Sequence, residues 1–205
     1  MTATTRARLI AAAIELVHEG GEDALNMRAL GDRCGLSRGA PYRHFEDKDA
    51  LLRAIAAAGF EELEARMRRA ARAGRGSRLR AAMHAYIAWA LANPDWYRLT
   101  FQRVPATPNV ALDIDLKAAA TTLLEFVMAL VVEARAAHEL PGLEPAALFG
   151  VLWSTLHGAV DLALAGHAKD ELAMGPRRVV DNLLSALGDA PAVSRPDVAR
   201  RPTRS

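Results

Sequence analysis

Apolar residues recur along this chain with a helical period almost throughout. Leu9, Ala12, Ala13, Leu16 and Val17 fall at i, i+3, i+4, i+7 and i+8, which predicts a first helix with one buried stripe. Gly20-Gly21 is expected to stop it. Asn26 is placed to cap a second, short helix carrying Met27, Leu30 and Cys34 on one face. Gly35 supplies the left-handed residue that ends that helix. Ser37 is then positioned to cap a third segment running to Phe45. Glu46-Asp47 leads into a long helix through Leu51, Leu52, Ile55, Leu63 and Met67. Its acidic start and its basic end at Arg66, Arg68, Arg69 and Arg72 match the helix dipole.

Gly74-Arg75-Gly76-Ser77 reads as a linker. Helices are predicted beyond it at about 78–93 and 94–103, separated by Asn93-Pro94, and the Pro-containing stretch 104–109 reads as a loop. A long helix is predicted at about 110–137, a turn at His138 to Leu143, and two last helices at about 145–167 and 176–187. The fold class is therefore all-α. The expected organisation is a three-helix head at 1–52, a connecting helix and linker at 53–77, a helical body at 78–187 and a disordered tail at 188–205.

Composition narrows the picture. With 51% hydrophobic and 24% charged residues, the 205-residue chain can bury a core. The single cysteine, Cys34, excludes an intrachain disulfide framework and any Cys-rich zinc site, and its spacing puts it on an apolar face rather than in a nucleophile's setting. No apolar leader with a cleavage site follows the N-terminus. The apolar stretch Ala146 to Ala168 is broken by Ser154, Thr155, His157 and Asp161, so no membrane span is expected and the cytoplasm is the default.

Net charge is uninformative as a total and informative by position. Against a sum of +2, residues 1–52 carry 7 basic and 8 acidic side chains, 53–80 carry 8 and 3, 81–189 carry 7 and 12, and 190–205 carry 4 and 1. If the head binds a polyanion, Arg28, Arg38, Arg43 and Lys48 must converge while Glu15, Glu19, Glu22 and Asp23 face away.

Met27 to Phe45 carries the functional signal. Two short helices joined by a three-residue turn with Gly, a Gly31 where the helices approach, and Leu30 and Leu36 to lock them together make a helix-turn-helix, whose second helix enters the DNA major groove. The runs Arg8-Leu9-Ile10-Ala11-Ala12-Ala13, Leu30-Gly31-Asp32-Arg33-Cys34-Gly35-Leu36-Ser37-Arg38-Gly39-Ala40-Pro41-Tyr42-Arg43-His44-Phe45 and Glu46-Asp47-Lys48-Asp49-Ala50-Leu51-Leu52 resemble the TetR family of transcriptional regulators. Trp153 to Gly158 resembles a Trp…His-Gly signature of one C-terminal subclass. The resemblance implies that Ser37, Arg38 and Gly39 meet base edges or the adjacent backbone, that Tyr42, His44 and Lys48 hold phosphates, and that Asn26 and Arg28 clasp the backbone from the preceding helix. Arg38 is the candidate for a bidentate contact to guanine. Pro41 departs from the family, which more often has an aliphatic residue there. Without an N–H it predicts a tighter or later start to the recognition helix. Gly31 and Cys34 replace commoner alanines.

In the body, Tyr86, Trp89, Trp96, Tyr97, Phe101, Phe126, Phe149 and Trp153 hold 8 of the 11 aromatics. Either they are ordinary core or, as the resemblance implies, they line a cavity for a small apolar effector. The residues chosen for that role are Tyr86, Trp89, Trp96, Phe101, Phe126, Trp153 and His157, with His157 and Asp161 expected to meet side by side at i and i+4. The nearly all-round apolar helix 145–167 and the striped helix 176–187 need external cover, which a homodimer through these two helices provides. No GxSxG, HExxH or phosphate loop is present, and no metal or cofactor is assigned. The expectation is a non-enzymatic, ligand-responsive repressor on a palindromic operator. An effector-free regulator of the same fold and a helical enzyme of unknown reaction are the rival readings.

Overall fold

The structure, a computed structural model, describes residues 4–73, 76–103, 114–140, 143–169, 172 and 174–188. Among these the chain forms eight α-helices: α1 (Thr5–Ala24), α2 (Met27–Arg33), α3 (Lys48–Ala73), α4 (Arg78–Ala92), α5 (Pro94–Gln102), α6 (Ile114–Ala136), α7 (Pro145–Leu164) and α8 (Pro176–Gly188), with a 3₁₀ turn at Pro41–Arg43. The fold is all-α, a helix-turn-helix head on a larger helical body. The loop expected at 104–109, the start of the helix expected at 110, Gly74-Arg75, Pro141-Gly142 and the tail from 189 lie outside the described residues.

Each helix end has a local cause. Thr4 caps α1 through its side chain, accepting from Ala7 N–H at 3.2 Å, and Asn26 Oδ1 caps α2 through Ala29 N–H at 2.7 Å. Asp47 does the same for α3 through Ala50 N–H at 2.6 Å. Gly35 stands at φ +65°, with Leu36 N–H on the Gly31 carbonyl and Gly35 N–H on that of Asp32, the Schellman arrangement that a left-handed residue permits. The same device at Gly166 (φ +76°) ends α7 at Leu164, three residues short of the expected 167. Gly20-Gly21 was expected to stop the first helix. Both glycines do leave helical geometry, but they kink α1, which resumes to Ala24.

Leu9, Ala12, Ala13, Leu16 and Val17 are buried as their spacing predicts. They join one core continuous from Leu9 to Leu184. The expected connecting helix is more than a connector: α3 buries Ile55, Phe60, Leu63 and Met67 and packs against α1, α4, α5 and α6. Arg53 with Asp49, Arg66 with Glu62, and Arg68 with Glu64 pair along its surface. α5 lies against α1 and α3 on one side and the body on the other. It docks closely, since a Cβ at Gly59 would stand 2.1 Å from Thr100 Oγ1.

By length and composition α7 is apolar enough to cross a membrane, with mean hydropathy 1.4 over its most apolar window. In the fold it is a wall of the bundle, burying Leu148, Leu152, Leu156 and Val160 against α4, α6 and α8.

Candidate nucleic-acid interface and interior polar cluster

The helix-turn-helix forms with a shortened second element. Gly31 sits under the turn, where a Cβ would stand 3.4 Å from the Ser37 carbonyl oxygen and 3.6 Å from Pro41 Cγ. An alanine there would make ordinary contact, consistent with the mild character of that substitution. Leu30 is fully buried and Leu36 packs against the core. The third segment expected from Ser37 to Phe45, with a tighter or later start imposed by Pro41, is a turn over 38–40 followed by the tight 3₁₀ turn Pro41–Arg43. Pro41 has no N–H to give to Ser37, so the chain closes through Ala40 N–H to the Ser37 carbonyl, then Arg43 N–H to Ala40 and His44 N–H to Pro41. Ser37 was expected to cap through its hydroxyl. It contributes its carbonyl instead, and the cap position is Ala40, which has no side-chain bond.

This geometry leaves Arg28, Ser37, Arg38, Gly39, Arg43 and His44 exposed, and Tyr42 is 58% exposed despite its ring. Asn26 is exposed but committed to its cap. Lys48, expected on a phosphate, is half-buried and donates to the Glu22 carbonyl at 3.1 Å, bracing the kinked end of α1. Cys34, expected buried, is half-buried at the end of α2 with Sγ 3.9 Å from the Arg8 carbonyl oxygen.

Four of the eight acidic residues of the head, Glu15, Glu19, Glu22 and Asp49, pair with arginines. Arg33 grips Glu19 with two bonds of 2.7 Å and lies 3.7 Å from Glu15. That bond holds the Glu19 carboxyl below the ordinary carboxylate range. Arg103, from the end of α5, donates to Glu22 at 2.5 Å and to Asp49 at 2.7 Å. Among the described residues no ion pair engages Arg28, Arg38 or Arg43. The net-negative head therefore presents uncommitted arginines around the 38–44 turn.

In the body, His157 is the hub of the aromatics. Its Nδ1 lies 2.9 Å from Tyr86 Oη and 3.0 Å from Tyr97 Oη, while the Phe101 and Trp153 rings meet its imidazole edge-on at 4.6 and 4.4 Å between centroids. His157 and Asp161 were expected to pair directly. Tyr97 stands between them, donating to Asp161 Oδ1 at 3.2 Å. Burial pushes the His157 pKa down to about 4, against the raising influence of Asp161. It also pushes Tyr97 up to about 12 and Tyr86 well above its ordinary value.

Of the seven residues expected to line one cavity, Tyr86, Phe101, Trp153 and His157 come together. Trp89 borders them through Tyr97 and Trp96, at 6.5 and 5.6 Å between centroids, and its Nε1 is buried with no acceptor among the described residues. Trp96 faces the head: its Nε1 donates to the Ile55 carbonyl at 3.0 Å and its ring meets His18. Trp96 and Thr100 of α5 reach α3 and α1, whereas Tyr97 and Phe101 reach α4 and α7, Phe101 also meeting Phe60 of α3 at 5.2 Å between centroids. Phe126 lies apart, beneath the Arg68 guanidinium at 4.3 Å. Tyr97 was not singled out, although its spacing from Phe101 on α5 could have indicated it. Beside Tyr86 and Trp153 lies a void of about 10 Å³, also walled by Met67, Met83, Leu123 and Leu152. That is room for one water, not for a ligand.

Comparison with known proteins gives matches at both ends. Residues 79–197 match the family described as tetracyclin repressor-like, C-terminal domain, and residues 9–55 match that described as bacterial regulatory proteins, tetR family. The HTH-type transcriptional activator FasR of Mycolicibacterium smegmatis is 32% identical over 120 residues, 57% of this chain and 55% of that protein. The HTH-type transcriptional repressor KstR of the same organism is 36% identical over 69 residues, 34% of each. The chain thus spans about half the length of one curated relative and a third of the other. A protein of unknown function from Rhodococcus sp. RHA1 superposes with TM-score 0.77 at 27% identity, over 91% of this chain and 95% of that one. FadR from Bacillus subtilis, solved in complex with stearoyl-CoA, shares the fold with TM-score 0.66 at 14% identity, over 89% of this chain and 97% of that one.

Proposed function

The chain belongs to the TetR family of bacterial regulatory proteins, and from that premise we propose that it is a cytoplasmic, DNA-binding transcriptional repressor. It acts as a homodimer on a palindromic operator and is released by a small apolar effector. The observation that carries the DNA-binding reading is the pairing of charges in the head. Arg33 and Arg103 take up Glu19, Glu22 and Asp49, while Arg28, Arg38 and Arg43 around the exposed turn have no ion-pair partner among the described residues. Arg38 reads a guanine edge, Ser37 and Gly39 approach bases or backbone, and Tyr42 and His44 hold phosphates. Asn26 serves mainly through its cap, and Lys48 reaches a phosphate with the N–H groups left free by Glu22.

The homodimer is supported by the outward face of α7. Opposite its buried leucines, the helix exposes Gly150, Val151, Ser154, Gly158 and Leu162, with Val151 38% and Leu162 44% exposed. A second copy of α7 and α8 would cover that face, and small residues there allow close approach. Two-fold symmetry then sets half-sites about 34–36 Å apart, or a multiple of that.

In the mechanism we propose, effector entering beside Tyr86, Phe101, Trp153 and His157 displaces α5 through Tyr97 and Phe101. The opposite face of α5 holds Ile55 through Trp96 and the head through Arg103. The heads then leave the spacing of two half-sites, to the extent that effector binds the displaced state better. Trp89 acts as outer support of that site, and Phe126 lies outside it. The closed void favours one second reading, a regulator of the same fold without an effector.

The test is fluorescence anisotropy with DNA from upstream of the chain's own gene. Sequence-specific binding that weakens steeply with salt is expected. Equal affinity for scrambled DNA at low salt, without added compounds, would sink the reading.

A further inference from the structure

The outer side of α6 carries an apolar ridge that the rest of the fold leaves open. Leu124, Met128 and Val132 recur there at i, i+4 and i+8, with Leu124 39% and Val132 49% exposed. With Ala129 and with Phe149 of α7 they line an apolar groove of about 680 Å³. Phe149 stands two residues before the exposed Val151, so the groove continues the α7 face that the homodimer proposed above would cover. Glu125 edges the groove and has no ion pair among the described residues, whereas Glu133 is held by Arg78.

Two-fold symmetry selects what can fill it. α6 starts beside the head, where Asp115 lies 3.5 Å from Arg6, and ends at the start of α4, where Glu133 meets Arg78 at 2.6 Å. α8 also runs away from the head, from Arg177 to Leu184, which lies by Ser77 and Glu139. In the homodimer on which this inference rests, both heads face one DNA duplex, so the axis runs from head to body, along α6 and α8. α7 packs against both of these helices. Rotation about an axis at the outer face of α7 keeps each level along the bundle and exchanges its sides, which brings α8 of the second copy over α6. The levels agree. Asp181 of α8 bonds Arg80 and His84 of α4 at 2.7 and 2.9 Å, and Leu123 and Val127 of α6 meet the same turn of α4 at Met83. Arg177 and Arg178, a turn before Asp181, therefore stand level with Glu125. Both are exposed, and neither has an ion pair among the described residues. We propose that α8 of a second copy of this chain covers the α6 groove, with its Arg177 and Arg178 on Glu125 and its half-buried Val179 and Leu183 beside Leu124, Met128 and Val132.

The experiment measures the dimer dissociation constant of the full chain by sedimentation equilibrium, with circular dichroism to follow helix content. Glu125→Arg is expected to raise that constant about tenfold, because the contact occurs twice in a symmetric dimer and each copy is worth about threefold. Arg177→Glu together with Arg178→Glu should act in the same direction, and acidic residues in the first turn of α8 suit the helix dipole. Combining all three substitutions restores the opposite signs and should return the constant to within about threefold of the unmodified chain. Val132→Asp, on an exposed side chain in the groove, gives an independent reading and should also weaken the dimer. A dimer indifferent to Val132→Asp and Glu125→Arg, or losses that add in the combined variant, overturns the α6 contact; the groove then belongs to another partner, and the homodimer through α7 stands. A chain that is monomeric at every concentration overturns both.

Discussion

Gly59 is a position where two opposite predictions can be separated by sign. It lies inside α3, where replacing glycine by alanine ordinarily stabilises a helix by up to about 1 kcal/mol. Here the new Cβ would stand 2.1 Å from Thr100 Oγ1 and 3.1 Å from Thr100 Cβ and Cγ2. Carbon contacts settle near 3.5–4.0 Å, so the shortfall at the hydroxyl is about 1.4 Å or more. Thr100 is fully buried, and its hydroxyl bonds the Trp96 carbonyl at 2.7 Å. Turning it aside forfeits that bond, roughly 0.5–1.5 kcal/mol. Shifting α5 instead opens the packing of Trp96 and Leu99, an overpacking cost of about 1–3 kcal/mol. The clash outweighs the propensity gain, and Gly59→Ala should lose about 1–3 kcal/mol in urea unfolding. Adding Thr100→Ala removes the 2.1 Å clash and should recover most of that loss, a coupling that a double-mutant cycle reads directly. A neutral or stabilised Gly59→Ala would refute the tight seating of α5 on α3, and with it the route from body to head.

Three further outcomes follow from the same geometry. Arg38→Ala should cost about 1–3 kcal/mol and relax preference at one base pair, read by competition among operator variants; equal losses on all sequences would mean a phosphate contact. Acid should weaken the fold through His157: its folded pKa of about 4 lies below the ordinary 6.5, so its contribution is whole above about pH 6.5 and is lost as pH falls towards 4, by up to about 3 kcal/mol. Urea unfolding at about pH 7 and pH 4.5 should show that loss, and His157→Phe should flatten it. Arg103→Ala removes the ties to Glu22 and Asp49, each part-exposed and worth about 1 kcal/mol or less. Hydrogen exchange should quicken in the last turn of α1 and stay unchanged in α7; uniform quickening would count against a local tie.

The fold was legible where the signal is local. Apolar spacing, Asn26 as a cap, Gly35 as a left-handed end and Pro94 at a helix start all determine structure within a few residues, and they place the head and the helices of the body. The misjudged ends have local reasons of another kind. Glycines at 20–21 can kink a helix as readily as end it, because what lies beyond, Lys48 on the Glu22 carbonyl, comes from a distant part of the chain. Gly166 ends α7 before the apolar run stops, since a left-handed residue outranks continuing hydrophobicity.

Spacing named residues of the candidate site but not their arrangement, and the reason is the distance over which side chains are paired. Spacing put His157 and Asp161 on one face, yet whether they touch depends on Tyr97, which intrudes from α5. Composition made the head net negative, yet what DNA would meet depends on which arginines remain unspent. Arg33 reaches Glu19 across 14 positions and Arg103 reaches Glu22 across 81. Neither pairing is encoded in the turn they serve. Each pairs an acid of the head, and Arg103 brings a cation from the end of α5 to two of them, so the body contributes to the charge balance of the head. In the proposed complex, Arg103→Ala would change the charge facing DNA while leaving the recognition turn intact.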